Sequence, residues 1–216
     1  VNRPGQVKIG TVGPAIPGTE VKIAEDGEIL IKGPGVMKEY YRNPEATAEA
    51  IKGGWFYTGD IGQLDEQGRL KITDRKKDII VTAGGKNVAP QNLENDLKTD
   101  NLVSQVMVHG DKRKFLSALV TLNEENAKKW AAENGVPPGA ALHQDPRVIA
   151  RIQRSVDALN AKQASYSTIK KFAIIPKDFT VEGGELTPTL KVKRKLVTQQ
   201  YKAVLDAFYA DGKGGD

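Results

Sequence analysis

Hydrophobic positions in the first third of the chain recur in short alternating runs. Val21-Lys22-Ile23 and Glu28-Ile29-Leu30-Ile31 flank Glu25-Asp26-Gly27, which reads as a β-hairpin. Asn43-Pro44 opens a short helix over 45–51, with Asn43 as N-cap and Pro44 in the first turn, and Gly53-Gly54 stops it. Strand-like runs follow at 56–64 and 70–73, joined by Asp65-Glu66-Gln67-Gly68. Proline and glycine are frequent through residue 59. The pattern predicts a small barrel or twisted sheet and not a βαβ unit.

From Asp78 onward the pattern changes. Ile79-Ile80-Val81 reads as a short buried strand, Gly84-Gly85 as a loop, and 90–97 as the start of a helix. Two more strands are predicted at 103–109 and 115–122, separated by the polar turn 110–114. Helices are predicted at 124–133 and 146–162, the second capped by Asp145 with Pro146 behind it. Val136-Pro137-Pro138-Gly139 breaks between them. A strand at 172–175, a terminal helix at 195–209 and a frayed tail at 211–216 complete the chain. The fold class is mixed α/β: a β-rich, barrel-like segment, then a compact α/β domain. Five charged residues, Asp74-Arg75-Lys76-Lys77-Asp78, lie between two apolar strands at the junction, where they read as a turn, a linker or a site.

Composition narrows the chemistry. The 216 residues are 39% hydrophobic and 27% charged, a soluble globular balance that buries roughly 70% of the unfolded surface. No apolar run approaches the ~20 residues that span a bilayer. Val1-Asn2-Arg3-Pro4-Gly5 carries no signal pattern and no initiator Met, so the chain is expected to begin inside a longer gene product. Cysteine is absent, which excludes disulfides, thiolate metal sites and a cysteine nucleophile. The two histidines, His109 and His143, are far apart, which excludes a multi-histidine metal site. His109, at a strand end, reads as structural. Lys, Arg, Asp, Glu and backbone amides remain, the groups that handle phosphates and nucleotides. The net charge of +5 does not by itself indicate a nucleic-acid binder. The positive charge is concentrated at Arg75-Lys76-Lys77, Lys191 and Lys193-Arg194-Lys195. Trp55, Tyr57, Tyr40 and Tyr41 read as core aromatics.

Three segments carry a resemblance. Trp55-Phe56-Tyr57-Thr58-Gly59-Asp60 resembles the Thr-Gly-Asp motif of the adenylate-forming enzymes, which include acyl-CoA synthetases, luciferases and nonribosomal adenylation domains. Asp74-Arg75-Lys76-Lys77-Asp78, continuing through Gly84-Gly85-Lys86-Asn87-Val88-Ala89-Pro90, resembles the family's hinge and the loop after it. Leu186-Thr187-Pro188-Thr189-Leu190-Lys191-Val192-Lys193-Arg194 resembles its C-terminal lysine motif. The second and third segments are most similar to long-chain fatty acyl-CoA synthetases. The family's upstream phosphate loop and its Tyr-Gly-x-Thr-Glu motif, whose Glu holds Mg²⁺, are absent. The resemblance therefore implies that residues 1–76 end a large adenylation domain, that 74–78 are a hinge, and that 77–216 form the small mobile domain.

The same resemblance implies roles for single residues. Asp60 would accept hydrogen bonds from both ribose hydroxyls of ATP or AMP, a task suited to a carboxylate. Arg75 would complement the nucleotide's ribose or phosphate side. The alternatives are a turn cap for Asp60 and a surface ion pair with Asp74 or Asp78 for Arg75. Lys77 would be the hinge whose rotation swings the small domain. Gly84 and Gly85 would line the approach of the CoA pantetheine arm. Lys191 would be catalytic, placing an ammonium between two anions as a carboxylate attacks the α-phosphorus. Lys193, Arg194 and Lys195 read as cations on an exposed helix start.

The function so implied is ATP-dependent fatty acid–CoA ligation through an acyl-adenylate, with fatty acid, ATP, CoA and the missing N-terminal domain as partners. The fragment itself is expected to be inactive. Mg²⁺ is expected, with its ligands outside this chain. No nucleic acid is expected, and the location implied is cytoplasmic, with loose association with a membrane. Another carboxylic acid, or an acyl-AMP ligase serving a carrier protein, is the alternative within the family. The absence of a long insertion between Lys77 and Pro90 favours CoA. A non-enzymatic basic binding module is the alternative of another class, disfavoured because aromatics make up 6% and the basic runs lack them.

Overall fold

A computed structural model describes residues 1–210; the tail read as frayed, 211–216, lies outside the described residues. The chain divides into two compact units, Val1–Ile79 and the residues from Ile80 onward.

The first unit contains β1 (Gly13–Pro14), β2 (Glu20–Ile23), β3 (Glu28–Lys32), α1 (Pro44–Ala50), β4 (Ile51–Lys52), β5 (Trp55–Leu64) and β6 (Arg69–Arg75), closing on a 3₁₀ turn at Lys76–Asp78. The strands form one antiparallel sheet in the order β1-β6-β5-β3-β2, with β4 pairing to β5. This is the curled sheet the alternation predicts. The β2–β3 hairpin turns at Gly27, whose φ of +86° suits glycine. Helix α1 starts where the Asn43 side chain accepts the Ala46 N–H at 3.0 Å. The β5–β6 turn is organised by Asp65, whose carboxylate accepts the N–H groups of Gln67 and Arg69. Phe56 lines an apolar hollow with Val12, Ile31, Met37, Leu64 and Leu70. Tyr40 and Tyr41 do not join the core: they are 42% and 81% exposed, in the irregular stretch before α1.

The second unit contains β7 (Ile80–Val81), β8 (Asn87–Val88), α2 (Pro90–Leu97), β9 (Val103–His109), β10 (Leu116–Leu122), α3 (Glu124–Glu133), α4 (Pro146–Asn160), β11 (Ile169–Ile174), α5 (Arg194–Gln200) and α6 (Lys202–Ala210). A three-stranded sheet has the order β11-β10-β9, with β10 antiparallel to β9 and parallel to β11. Strand β10 is central and covered on both faces, so it reads as a near-continuous apolar run. Leu116, Ala118 and Val120 face one cluster with Leu93, Leu97, Val148, Ile152 and Val156 of α2 and α4. Leu119 faces another with Phe179, Leu186, Val197 and Leu205. In α4 the Asp145 cap accepts the Arg147 N–H at 2.9 Å, and Val148, Ile152, Val156 and Leu159 are its buried stripe.

Strands β1, β4 and β8 go beyond the sequence reading, β6 runs on to Arg75, and two further elements depart from it. The terminal helix at 195–209 is two helices, interrupted at Tyr201, which leaves the helical range at φ −104° and ψ 23°. Strand β11 begins three residues before the expected Phe172, because Asn160 at the end of α4 exchanges hydrogen bonds with the Ile169 backbone.

Candidate functional site

In the first unit, Asp60 on β5 and Arg75 on β6 are register partners. Arg75 Nε lies 3.0 Å from Asp60 Oδ1, so Arg75 pairs with Asp60 across the two strands. Asp74 is buried and accepts the Arg75 N–H at 2.7 Å; it and Arg75 are the last residues of β6, so the charged junction is part strand and part 3₁₀ turn. Gly59 has a φ of +70°, and nothing lies within 4 Å of where its Cβ would be. Backbone conformation accounts for that glycine, and the space beside it is open. Thr58 Oγ donates to Ile29 O at 2.8 Å and accepts the Asp60 N–H at 3.1 Å, which holds the segment to β3.

The sequence reading missed Glu28. This carboxylate is 3% exposed. One oxygen accepts the Gly59 N–H at 2.8 Å and the other accepts from Lys76 Nζ at 2.8 Å. Lys76 also pairs with Asp26 at 2.7 Å. That contact raises the Lys76 pKa and, from the other side, the ammonium lowers that of Asp26. Glu28 thus fixes both the residue before Asp60 and the residue after Arg75. Lys77, the expected hinge, is exposed in the 3₁₀ turn beyond this anchor.

In the second unit, Gly84 and Gly85 form the exposed loop of the β7–β8 hairpin. Thr82 closes the loop: its backbone N–H donates to Lys86 O at 3.0 Å, and its carbonyl accepts the Gly85 N–H at 2.8 Å. Gly85 has a φ of +72°. Gly84 does not, and a Cβ there would meet only Thr82 Oγ at 3.9 Å. Nothing among the described residues requires Gly84 to be glycine.

Lys191 is exposed and lies on a second hairpin loop. Leu186 and Val192 bridge at its base, and Thr187 N–H donates to Lys191 O at 2.8 Å. Thr187 O accepts the Leu190 N–H at 2.8 Å, and Thr187 Oγ accepts the Lys191 N–H at 3.0 Å. Leu190 adopts φ +59°, so the tip is a tight turn with a left-handed residue just before the lysine. No hydrogen bond or ion pair engages Lys191 Nζ among the described residues, so its ammonium is available to a ligand.

Arg194 is not on an exposed cationic face. Its guanidinium turns inward to Glu94 of α2, 2.6 Å away, and to Val108 O at 3.1 Å. Of the aromatics near the first site, Trp55 is half-buried under Lys22, whose Nζ lies 4.0 Å from the ring centroid. His109 is half-buried beside Tyr209, ring centroids 6.1 Å apart, as a structural residue.

A family model described as "AMP-binding enzyme C-terminal domain" matches residues 77–213. The chain belongs to this family. The chain is 48% identical over 206 residues to the long-chain-fatty-acid–CoA ligase FadD15 of Mycobacterium tuberculosis, an alignment covering 94% of this chain and 34% of that protein. The chain therefore spans about a third of this curated relative. Among solved structures, the adenylation domain of a carboxylate reductase from Mycobacterium chelonae superposes with a TM-score of 0.72 at 27% identity, covering 92% of this chain and 32% of that one. The same domain of the enzyme from Segniliparus rugosus, solved with AMP and a co-purified carboxylic acid, also gives 0.72 at 27%, covering 91% and 32%. The resemblance to adenylate-forming enzymes read from the three motifs is thus shown.

Proposed function

We propose that this chain is the C-terminal part of an AMP-forming fatty acid–CoA ligase. The observation that carries the reading is Lys191: an unengaged lysine on a hydrogen-bonded turn, in a chain 48% identical to a long-chain-fatty-acid–CoA ligase. In the first half-reaction the fatty-acid carboxylate attacks the α-phosphorus of ATP. A new C(O)O–P bond forms, the α–β bridging bond breaks, and pyrophosphate leaves. The Lys191 ammonium offsets the repulsion between the two anions and follows the negative charge that builds on the phosphoryl oxygens. Asp60 binds the ribose and Arg75 complements the nucleotide. They stand opposite each other on β5 and β6, with Glu28 bonding the Gly59 backbone before one and the Lys76 side chain after the other.

In the second half-reaction the CoA sulfur attacks the acyl carbonyl and AMP leaves. The open space beside Gly84 and Gly85 admits the pantetheine arm without a side chain in its way. Lys77 is the pivot between the two orientations, with residues 1–76 ending a large domain and 77–216 forming the mobile one. CoA is the acceptor favoured over a carrier protein, because the relative that is 48% identical is named a long-chain-fatty-acid–CoA ligase.

Among the described residues, no group of three or more His, Cys, Asp or Glu is placed to hold a metal ion. The ligands of Mg²⁺ would lie in the part of the enzyme upstream of this chain. No helix among the described residues is long and apolar enough to cross a membrane. A cytoplasmic enzyme, loosely associated with a membrane where fatty acids partition, fits the reading. The test is isolation of the two half-reactions in a chain extended upstream to its relatives' length. Lys191→Ala should slow acyl-adenylate formation by about 10²–10³-fold and thioester formation far less.

A further inference from the structure

Strand β9 is an edge of the three-stranded sheet. An edge strand carries N–H and C=O groups that no neighbouring strand pairs. At Val108 those groups are met by two side chains. Val108 N–H donates to Glu94 Oε1 at 2.7 Å, and Val108 O accepts from Arg194 Nη1 at 3.1 Å. The ring closes through Arg194 Nη2 and Glu94 Oε2, 2.6 Å apart. Together the carboxylate and guanidinium stand in for a partner strand at one residue. Glu94 is 6% exposed and on the buried side of α2, with Pro90, Leu93 and Leu97.

The position of this ring in the chain gives it a consequence. Arg194 opens α5 directly after the hairpin that carries Lys191. The hairpin's base is already fixed by buried Leu186 and by the Lys193 N–H donating to Glu185 O at 2.8 Å. Leu186 packs the base against Leu119 of the sheet, and the Arg194 fork adds a polar, directional tie to one residue of β9. We propose that Glu94 is a positioning residue for adenylation, holding Lys191 in place through Arg194 and Val108. The proposal rests on reading Lys191 as the adenylation lysine.

Hydrophobic replacement of a buried ion pair is often tolerated for stability, so a purely structural role and a positioning role separate experimentally. Arg194→Lys keeps the charge but cannot reach Glu94 and Val108 O with one planar fork. The experiment uses the chain extended upstream, with Arg194→Lys, the double variant Glu94→Met/Arg194→Met, and Lys191→Ala for reference. Three readouts are taken: urea unfolding, amide hydrogen exchange, and the two half-reactions, the second started from preformed acyl-adenylate.

The expected result is that the double variant unfolds at nearly the urea concentration of the parent. The amides of Thr187, Leu190 and Lys191 should exchange at least tenfold faster, while those of β10 keep their rates. Adenylation should fall by about 10²-fold, the scale on which a misplacement of roughly 1 Å acts, with thioester formation changed severalfold at most. Arg194→Lys should fall between. Hairpin amides exchanging at the parent rate, or both half-reactions falling together in step with stability, would overturn the proposal. Adenylation unaffected by Lys191→Ala would instead sink the reading of Lys191, and the exchange rates would still judge the clamp.

Discussion

Asp60 and Arg75 face each other across β5 and β6, Nε to Oδ1 at 3.0 Å. The two residues expected to meet the nucleotide therefore already meet each other. The pair is partly exposed and is worth only about 0–1 kcal/mol to the fold. Under the proposed function its effect is on ligand binding: Arg75 orients the carboxylate, and the second oxygen accepts no hydrogen bond among the described residues. Asp60→Asn in the upstream-extended chain should weaken AMP binding by about 10–100-fold, the scale of lost hydrogen bonds to a charged acceptor. Titration calorimetry with AMP checks it. Unchanged affinity would remove Asp60 from the site.

Glu28 and Asp26 both contact Lys76, yet only Glu28 is buried. Glu28→Ala leaves the Gly59 N–H without its acceptor and should lower the stability of the first unit by about 1–3 kcal/mol. Asp26→Ala removes a solvent-screened ion pair and the hydrogen bond from the Glu28 N–H at 3.1 Å, and should cost about 1 kcal/mol. Urea unfolding of the 216-residue chain compares the two. Equal losses would contradict the anchoring role given to Glu28.

Leu190 is 63% exposed and left-handed, so its backbone and not its side chain shapes the lysine turn. Leu190→Gly should leave stability unchanged or raise it by up to about 1 kcal/mol, whereas branched Leu190→Val should lower it by about 1–2 kcal/mol. Thermal unfolding of the three proteins distinguishes the outcomes. The opposite order would mean that Leu190 matters through its side chain.

Burial lowers the pKa of His109, and the nearby Arg113 charge acts the same way, against Asp206 and Asp111. The unfolded chain therefore takes up this proton first as pH falls. The contribution to stability is complete above the unfolded pKa of about 6.5 and is lost as pH drops through the lower folded value. Urea midpoints at pH 7.5 and 5.5 should converge in His109→Gln relative to the parent. An identical drop in both proteins would exclude His109 as the source.

Much of the fold, and the motifs that carry the proposed site, were legible because their signals are local. Asn43 and Asp145 cap helices within three residues of themselves. The Thr58-Gly59-Asp60 and Lys191 segments are short motifs whose residues sit together in sequence. Glu28 and Glu94 were not legible for the opposite reason. Their partners Lys76 and Arg194 lie 48 and 100 residues away. A signal was present in each case: Glu94 interrupts the buried stripe of Pro90, Leu93 and Leu97, and Glu28 shares a β3 face with Leu30. A charge at a core position asks for a distant partner. Tyr40 and Tyr41 erred the other way, because aromatic content alone does not bury a residue that lies outside any packed element.

The central claim is that Lys191 serves the formation of an acyl-adenylate from a fatty acid. The most direct test is fatty-acid-dependent acyl-CoA formation from MgATP and CoA, run on the 216 residues alone, on the upstream-extended chain, and on that chain with Lys191→Ala. Turnover is expected only in the extended chain, abolished or reduced by at least about 10²-fold with Lys191→Ala. Turnover by the 216 residues alone, or full activity in the Lys191→Ala protein, would contradict it.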